Sequence, residues 1–327
     1  RRRHTRYISV TGVQTCALPI SLFDALGLSV IERGWLSSNS IVFRAASGAP
    51  PTVVDTGYVA HADLGLAAIE RVLGGQGPQR VLNTHLHSDH CGGNAAIQAR
   101  WEVETLVPEP ALPLVRRWDV SQLTYAWTGQ RCPRFNADGA LAPGDPVALG
   151  GALWQVVAAP GHDPDSVMLW QPESKVLITA DALWQDRLAI IFPEMVGAPG
   201  FGDALRLLDL IESLAPAVAI PGHGAAFTQV GEALQRSRER LNQFRRDPSR
   251  HFAYGARSLT MFHMLEIAEC RRSELLAWLC GTPIFQEAHV AAGQPAGELA
   301  AWADATIERL ISDRALVDIK GSIRVVT

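Results

Sequence analysis

The chain of 327 residues is 47% hydrophobic and 19% charged, and it carries a net charge of −4 at pH 7. This composition is that of a globular protein with a sizeable core, and it excludes a disordered chain. The small negative charge predicts no electrostatic attraction to nucleic acid or to anionic lipid.

No apolar run reaches the roughly 18 residues that a membrane-spanning helix needs, so we expect no membrane partner. The five cysteines are scattered along the chain without a Cys-x-x-Cys pair. This pattern favours a reducing compartment over a disulfide framework. The sequence therefore predicts a cytoplasmic protein.

Residues 1–20 need separate treatment. They are basic at the start and mildly apolar afterwards, a pattern that targeting peptides share. Residues 10–20, however, resemble the translation of a common DNA-sequencing adapter. We therefore expect residues 1–20 to be an artefact outside the fold, with the native start, and any export signal, missing.

From residue 28 onward, short β-rich runs alternate with helical patterns. Helices are predicted over 64–73 and 203–214, and residues 104–150 are predicted to be a long irregular insertion. The mixture of elements, in no strict βαβ order, indicates a layered α/β architecture in which helices cover sheets. The predicted strands are 40–43, 52–55, 81–82, 154–158, 167–170, 176–179 and 218–220.

From residue 231 the pattern becomes helical, and 315–326 predicts a hairpin about a Lys-Gly-Ser turn. We expect a first domain over 21–230 and a small, mainly helical, winged-helix-like domain over 231–327. Residues 228–327 hold 13 basic and 12 acidic side chains, which is no basic surface for nucleic acid. A structural or homodimer-forming role is therefore expected for the C-terminal domain.

The most informative motif follows the predicted strand 81–82. His85, His87, Asp89 and His90 form the pattern His-x-His-x-Asp-His, directly before Cys91 and two glycines. Neutral imidazole and carboxylate are the ligands that borderline metals such as zinc prefer. Because ordinary core packing does not require such a cluster, the motif predicts a metal site.

Three further candidates stand at the ends of predicted strands. His162 follows Pro-Gly, Asp181 follows the run 176–180, and His223 follows Pro-Gly and precedes a glycine. Loops at strand ends collect functional groups because a rigid sheet holds them in place. The small residues beside each candidate allow the backbone to approach a crowded site closely.

Together these residues resemble the signature of the metallo-β-lactamase superfamily, in the right order over residues 28–230. The resemblance implies a four-layer αβ/βα sandwich with a dinuclear metal site in a cleft at the sheet ends. Asp181 would bridge both ions, and Asp55 would support the site from behind. By the same resemblance, the first ion would take His85, His87 and His162, and the second Asp89, His90 and His223.

The resemblance also implies a chemistry. Two divalent cations about 3.5–4 Å apart would hold a bridging water and lower its pKa enough to supply hydroxide near neutral pH. The hydroxide would attack a small acyl ester, lactone or thioester, and Asp89, as the catalytic residue, or a metal-bound water would then protonate the leaving group. Zinc is expected for both ions, with manganese or iron as alternatives.

Alternatives within the superfamily stay open. Members with a C-terminal winged helix resemble endoribonucleases, and persulfide dioxygenases share the His-x-His-x-Asp-His pattern but use a single iron. Asp181 argues against true β-lactamases, which lack that bridging residue. Lys175 and Lys320 are the only lysines, which fits poorly with glyoxalase II, since those enzymes bind glutathione partly through lysines.

Aromatic side chains near the predicted ligands suggest an apolar substrate pocket. Trp184 and Phe192 follow Asp181, and Tyr125 lies in the predicted insertion. Ordinary packing of these loops against the sheets is the competing interpretation, and the sequence does not decide between the two.

Overall fold

Two β-sheets stack face to face in the structure, a computed structural model that describes residues 17–326. In the first sheet each strand neighbours the next, and the last four run parallel. Its strands are β1 (Leu28–Ile31), β2 (Ser40–Phe43), β3 (Thr52–Val54), β4 (Arg80–Leu82), β5 (Glu104–Pro108) and β6 (Gly139–Leu141).

The second sheet is antiparallel except for one parallel pair between its last two strands. Its strand order is β11-β10-β9-β8-β7. Its strands are β7 (Pro146–Leu149), β8 (Ala152–Ala158), β9 (Val167–Gln171), β10 (Val176–Ala180) and β11 (Val218–Pro221).

Helices connect these strands and form most of the C-terminal region. They are α1 (Ala17–Ala25), α2 (Ala62–Val72), α3 (Ser88–Cys91), α4 (Asn94–Arg100), α5 (Leu112–Arg117), α6 (Phe192–Met195), α7 (Phe201–Leu214), α8 (Val230–Arg246), α9 (Pro248–Ile267), α10 (Arg272–Gly281), α11 (Pro283–Ala291) and α12 (Leu299–Ser312). No described helix is both long and apolar enough to cross a lipid bilayer.

Three hydrophobic cores separate the layers of sheets and helices. Successive side chains of a strand point to opposite faces, so Phe43 packs between the sheets against Trp154, whereas Val42 packs outward among residues of α2 and α4. Residues of α7 and α8 cover the other side of the second sheet, including Leu208 and Leu234. The predicted αβ/βα order of layers is therefore confirmed.

The C-terminal region has a core of its own. Helices α9 to α12 pack with a small sheet of β12 (Glu269–Arg271), β13 (Leu316–Ile319) and β14 (Ser322–Val325), and the last two strands form the predicted hairpin. Two residues from the segment between β10 and α7 also pack in this core: Ile190 and, from α6, Met195. Because α8 shares the core of the sandwich instead, the boundary at residue 230 stays a prediction.

The structure differs from the predicted elements at three places. The segment 104–150 holds strands β5 to β7, whose positions are set by pairing with neighbours such as β4. The sequence predicts a helix over 258–270, but helix α9 already begins at Pro248 and includes Gly255, where a Cβ would lie 2.5 Å from the Met195 sulfur. Helix α1 begins inside the excluded segment, and residues 1–16 lie outside the described residues.

Candidate metal centre

The predicted ligand residues meet at one end of the two sheets. His85 and His87 follow β4, His162 follows β8, Asp181 follows β10 and His223 follows β11. Helix α3 then turns back and brings Asp89 and His90 to the same place. Their ligand atoms form a first group of His85, His87 and His162 and a second group of Asp89, His90 and His223, each with all atoms within 4.8 Å. A third group of His85, His90 and Asp181 overlaps both within the same distance.

The first group consists of three buried imidazoles. The Nδ1 atom of His87 lies 3.1 Å from Nε2 of His85 and 2.8 Å from Nε2 of His162. Burial lowers the pKa of His87 and of His162 to about 4, and that of His85 well below its ordinary value. All three rings are therefore neutral at pH 7, with lone pairs that converge on one point, as a borderline cation requires.

The second group combines imidazoles with a carboxylate. Asp89 Oδ2 lies 3.1 Å from Nε2 of His223 and 3.9 Å from Nε2 of His90. The Nε2 atom of His90 is fully buried and makes no hydrogen bond within the described chain. Buried polar atoms rarely stay unpaired, so this nitrogen fits a metal ligand better than a structural histidine.

Asp181 lies between the two groups. Its Oδ2 is 3.4 Å from Nε2 of His162, and its Oδ1 is 3.4 Å from Nε2 of His90. Burial raises the pKa of Asp181, but the facing histidines outweigh it and hold that pKa well below its usual range. An ionised carboxylate with one oxygen toward each group has the geometry of a bridging ligand.

Asp55 holds two of the histidines from behind. Its Oδ2 accepts hydrogen bonds from Nδ1 of His90 at 2.7 Å and from the Thr84 hydroxyl at 2.7 Å. The Nδ1 atom of His85 faces that hydroxyl oxygen at 3.1 Å. When Nδ1 carries the proton in this way, Nε2 is left free to bind a metal. Asp55 therefore lies behind His85 and His90, and its role in supporting a metal centre stays a prediction.

Replacing Asp55 with asparagine tests this support. We expect zinc affinity to fall about 10- to 100-fold, the usual cost of losing such an outer partner, as measured by competition with a chromophoric chelator. Asp138→Asn is the matched control, because Asp138 accepts a hydrogen bond from the Thr105 amide at 2.8 Å away from the histidines. Equal zinc affinity in both variants and the wild type would contradict the role of Asp55.

A connection to the C-terminal region holds His162. Its Nδ1 donates to the Ile190 carbonyl at 2.5 Å, and the next amide, of Ile191, donates to Nε2 of His251 at 3.1 Å. His251 belongs to α9, and burial lowers its pKa to about 4, so it is a neutral acceptor. Helix α9 therefore fixes the peptide that orients His162.

His251→Leu should weaken the first group of ligands by freeing this peptide. We expect about tenfold weaker binding of one zinc ion and no change for the other, resolved by zinc titration of the purified variant. His289→Leu is the control, since His289 is also buried in the C-terminal core but packs on Trp302. Equal losses in both variants would indicate general destabilisation and contradict the specific link.

Two of the three predicted pocket residues reach the site. The ring centroids of Phe192 and His87 lie 4.5 Å apart, and those of Trp184 and His223 lie 5.2 Å apart. Tyr125 is placed elsewhere: it is buried beneath the ligand loop, with its hydroxyl 3.2 Å from the Cys91 sulfur. The structure therefore does not bring Tyr125 into a substrate pocket.

Three residues at the site carry no motif that would have revealed them. Trp35 stacks on His223 with ring centroids 5.4 Å apart, and Asp163 Oδ2 lies 3.4 Å from Nε2 of His87. Asn39 donates to the carbonyls of Pro221 and Gly224 and so holds the loop of His223. Only the position of Asp163, directly after His162, gave any signal in the sequence.

Comparison with known families decides the assignment of the fold. The model of the metallo-beta-lactamase superfamily matches residues 33–223, more than half of the chain. The chain belongs to the metallo-beta-lactamase superfamily. Among solved structures, a beta-lactamase domain protein from Burkholderia ambifaria has 22% identity and a TM-score of 0.54, covering 92% of each chain, which supports the fold alone. The protein TTHA1623, solved in a di-iron-bound form, has 25% identity and a TM-score of 0.50 over 64% of this chain and 98% of its own.

Several of the curated relatives are named as hydrolases or as a thioesterase. A hydroxyacylglutathione hydrolase of Rhodospirillum rubrum is 30% identical over 149 residues, covering 46% of this chain and 48% of its own length. The acyl-coenzyme A thioesterase MBLAC2 of Bos taurus is 26% identical over 160 residues, which are 46% of this chain and 57% of that protein. The chain thus spans about half the length of the curated relatives it matches.

Proposed function

We propose that this member of the metallo-beta-lactamase superfamily is a metal-dependent hydrolase of small acyl esters, lactones or thioesters, with thioesters as the preferred class. The observation that carries the proposal is the position of Asp181, whose two oxygens each lie 3.4 Å from a histidine of a different ligand group. The names of the relatives, a glutathione thioester hydrolase and a coenzyme A thioesterase, support the choice of thioesters.

The donor set fits two divalent cations, with zinc proposed for both and manganese or iron as alternatives. In this assignment His85, His87 and His162 would hold the first, Asp89, His90 and His223 would hold the second, and Asp181 would be shared between them. A divalent cation bound there supplies Lewis acidity and lowers the pKa of water in contact with it.

Asp89 is the proposed proton carrier. Its side chain is 13% exposed, more than the side chains of Asp181 and His90. Asp89 therefore lies on the solvent-facing side of the site, which is called the mouth below. Burial raises the pKa of Asp89, but His90 and His223 outweigh it and keep that pKa below its ordinary value. The carboxylate must therefore accept a proton from water before it can deliver one to the leaving group.

In the balanced reaction, the acyl carbon gains the hydroxyl of water while its bond to sulfur or oxygen breaks. The proton that Asp89 takes up is returned to the departing thiolate or alkoxide. Phe192 packs beside the imidazole of His87, and Trp184 packs beside that of His223. An apolar acyl group would pack against these rings.

Turnover assays test the proposal directly. Zinc-loaded protein is offered S-acyl thioesters, acyl-homoserine lactones and single-stranded RNA, with release of thiol, acid or fragments measured separately. Thioester or lactone turnover that a chelator abolishes and added zinc restores is the expected result. Fully loaded protein that cleaves only RNA would replace this proposal with the nuclease alternative, and turnover that survives complete removal of the metal would contradict it.

The protonation of the ligands predicts different pH dependence for the two ions. Burial lowers the pKa of His90, but Asp181, Asp55 and Asp89 outweigh it and raise that pKa well above its ordinary value. A cation at the second group must displace this proton, whereas the first group is already neutral above about pH 5. Between pH 8 and pH 6 we expect affinity for one zinc ion to fall and affinity for the other to hold, as measured by chelator competition. An equal fall for both ions would contradict the assignment.

A further inference from the structure

An arginine without an acidic partner lies at the mouth of the site. The guanidinium carbon of Arg187 lies 4.6 Å from the centre of the Trp35 ring system. Trp35 is 43% exposed, stacks on His223 at 5.4 Å, and meets Trp184 edge-on at 5.4 Å. A single aromatic ring therefore separates the Arg187 cation from a candidate metal ligand.

Two neighbouring arginines are paired with carboxylates. Arg236 contacts Asp186 at 3.7 Å and Glu232 at 3.3 Å, and Arg238 contacts Asp209 at 2.8 Å. Within residues 17–326, by contrast, neither Arg187 nor Arg240 has a carboxylate within ion-pair distance. Their charges are left for a ligand or for solvent.

These two arginines share one small cleft. Arg187 and Arg240 line a cleft of about 150 Å³ together with Arg236 and Leu188. Asp186 and Glu239 also line it, so the lining holds three arginines against two carboxylates. The cleft thus keeps a positive excess beside the aromatic rings of the mouth.

The hydroxyl of Tyr254 lies near the arginine charges and contacts the segment that carries Arg187. Its pKa is raised by burial, and Arg240, Arg187 and Arg257 each oppose that rise through their positive charge. Because this hydroxyl donates to the Leu188 carbonyl, helix α9 fixes the segment that carries Arg187.

We propose that Arg187 and Arg240 form an oxyanion subsite, and that the preferred substrates are acyl thioesters whose thiol portion carries phosphate or carboxylate groups. This inference rests on the proposed function and names its substrate class. A guanidinium binds both kinds of oxyanion through paired hydrogen bonds, and stacking on Trp35 orients it in advance. The acyl group then lies toward the ligand groups, and the anionic end lies over the cleft.

The test uses three thioesters with the same acyl group on zinc-loaded protein. The acyl-coenzyme A carries phosphates, the S-acyl-glutathione carries carboxylates, and the S-acyl-N-acetylcysteamine is neutral. We expect wild-type kcat/KM to favour one of the anionic thioesters over the neutral one by about tenfold or more, and Arg187→Gln and Arg240→Gln to reduce that ratio. The favoured anion distinguishes a phosphate ligand from a carboxylate ligand.

Arg100→Gln is the matched control, because Arg100 lies over the Trp101 ring at 4.8 Å on the outer helices and should leave the ratio unchanged. A wild-type enzyme with no anionic preference, or an Arg187→Gln variant that retains it, would overturn the subsite. If no thioester is hydrolysed, the thioester preference of the proposed function fails separately. The subsite is then tested by measuring, through tryptophan fluorescence, how tightly the same proteins bind 3′,5′-ADP and glutathione. Weaker binding of either ligand to Arg187→Gln than to the wild type supports the subsite. Equal affinity of the variant and the wild type for both ligands overturns it.

Discussion

Asp181→Asn is expected to reduce hydrolysis more than any other single change of comparable size. The amide keeps the shape of the side chain but removes the charge that faces both ligand groups, each 3.4 Å away. Loss of an outer partner such as Asp55 costs about 10- to 100-fold, so loss of a shared direct ligand should exceed about 100-fold in kcat/KM. Metal analysis of the same preparation should show that at least one of the two proposed ions is lost.

A second measurement separates this effect from unfolding. Asp209→Asn removes an exposed carboxylate, and its only ion pair among the described residues is on the surface with Arg238, so it should retain both metal content and activity. Thermal unfolding of Asp181→Asn should still give one cooperative transition. An Asp181→Asn protein with full metal content and wild-type turnover would contradict the bridging role.

Gly222→Ala should have the second largest effect, although it adds only one methyl group. A Cβ atom at this position would lie 2.1 Å from Oδ1 of Asp181 and 2.9 Å from Cε1 of His90. Either the carboxylate or the loop that carries His223 must move, and such forced shifts cost about 1–3 kcal/mol. We expect loss of one bound ion and a fall in kcat/KM of about 100-fold or more.

Gly231→Ala provides the comparison for this change. Gly231 lies in α8 with no heavy atom within 4 Å of an added Cβ, so alanine there should leave metal content unaltered. Metal content is measured by atomic emission on both variants after the same zinc loading. Retention of both ions by Gly222→Ala would show that the close packing of Gly222 against Asp181 does not constrain the centre.

The ligand positions could be predicted because their signals are local. Four of the candidate ligands fall within six consecutive positions: His85, His87, Asp89 and His90. Each of the other three follows an apolar run that predicts a strand: His162, Asp181 and His223. Once the strands are recognised, the sheets bring their ends together without further information. The sequence therefore contains both the chemistry and the reason for its convergence.

The surroundings of the ligands could not be predicted, because they depend on contacts between distant segments. Trp35 reaches His223 across the site, and His251 reaches the Ile191 amide over 60 positions of sequence. A lone tryptophan or histidine has no periodicity that reveals its partner. Tyr125 illustrates the reverse error, because an aromatic in an irregular segment can equally pack beneath a loop.

The same reason explains the differences in the fold. The residues of strand β5 have no clear strand pattern in the sequence, because the position of this strand is set by pairing with β4 and β6. Gly255 reads as a helix breaker in isolation, yet the packing of Met195 requires it inside α9. Tertiary contacts outweigh local preference at both places.

Seven side chains from four loops are proposed to hold two cations, with Asp181 between them. Anomalous diffraction at the zinc edge from crystals of zinc-loaded protein tests this claim most directly. We expect two peaks, one among His85, His87 and His162 and one among Asp89, His90 and His223, both within bonding distance of an Asp181 oxygen. A single peak, or two peaks of which neither contacts Asp181, would contradict the claim.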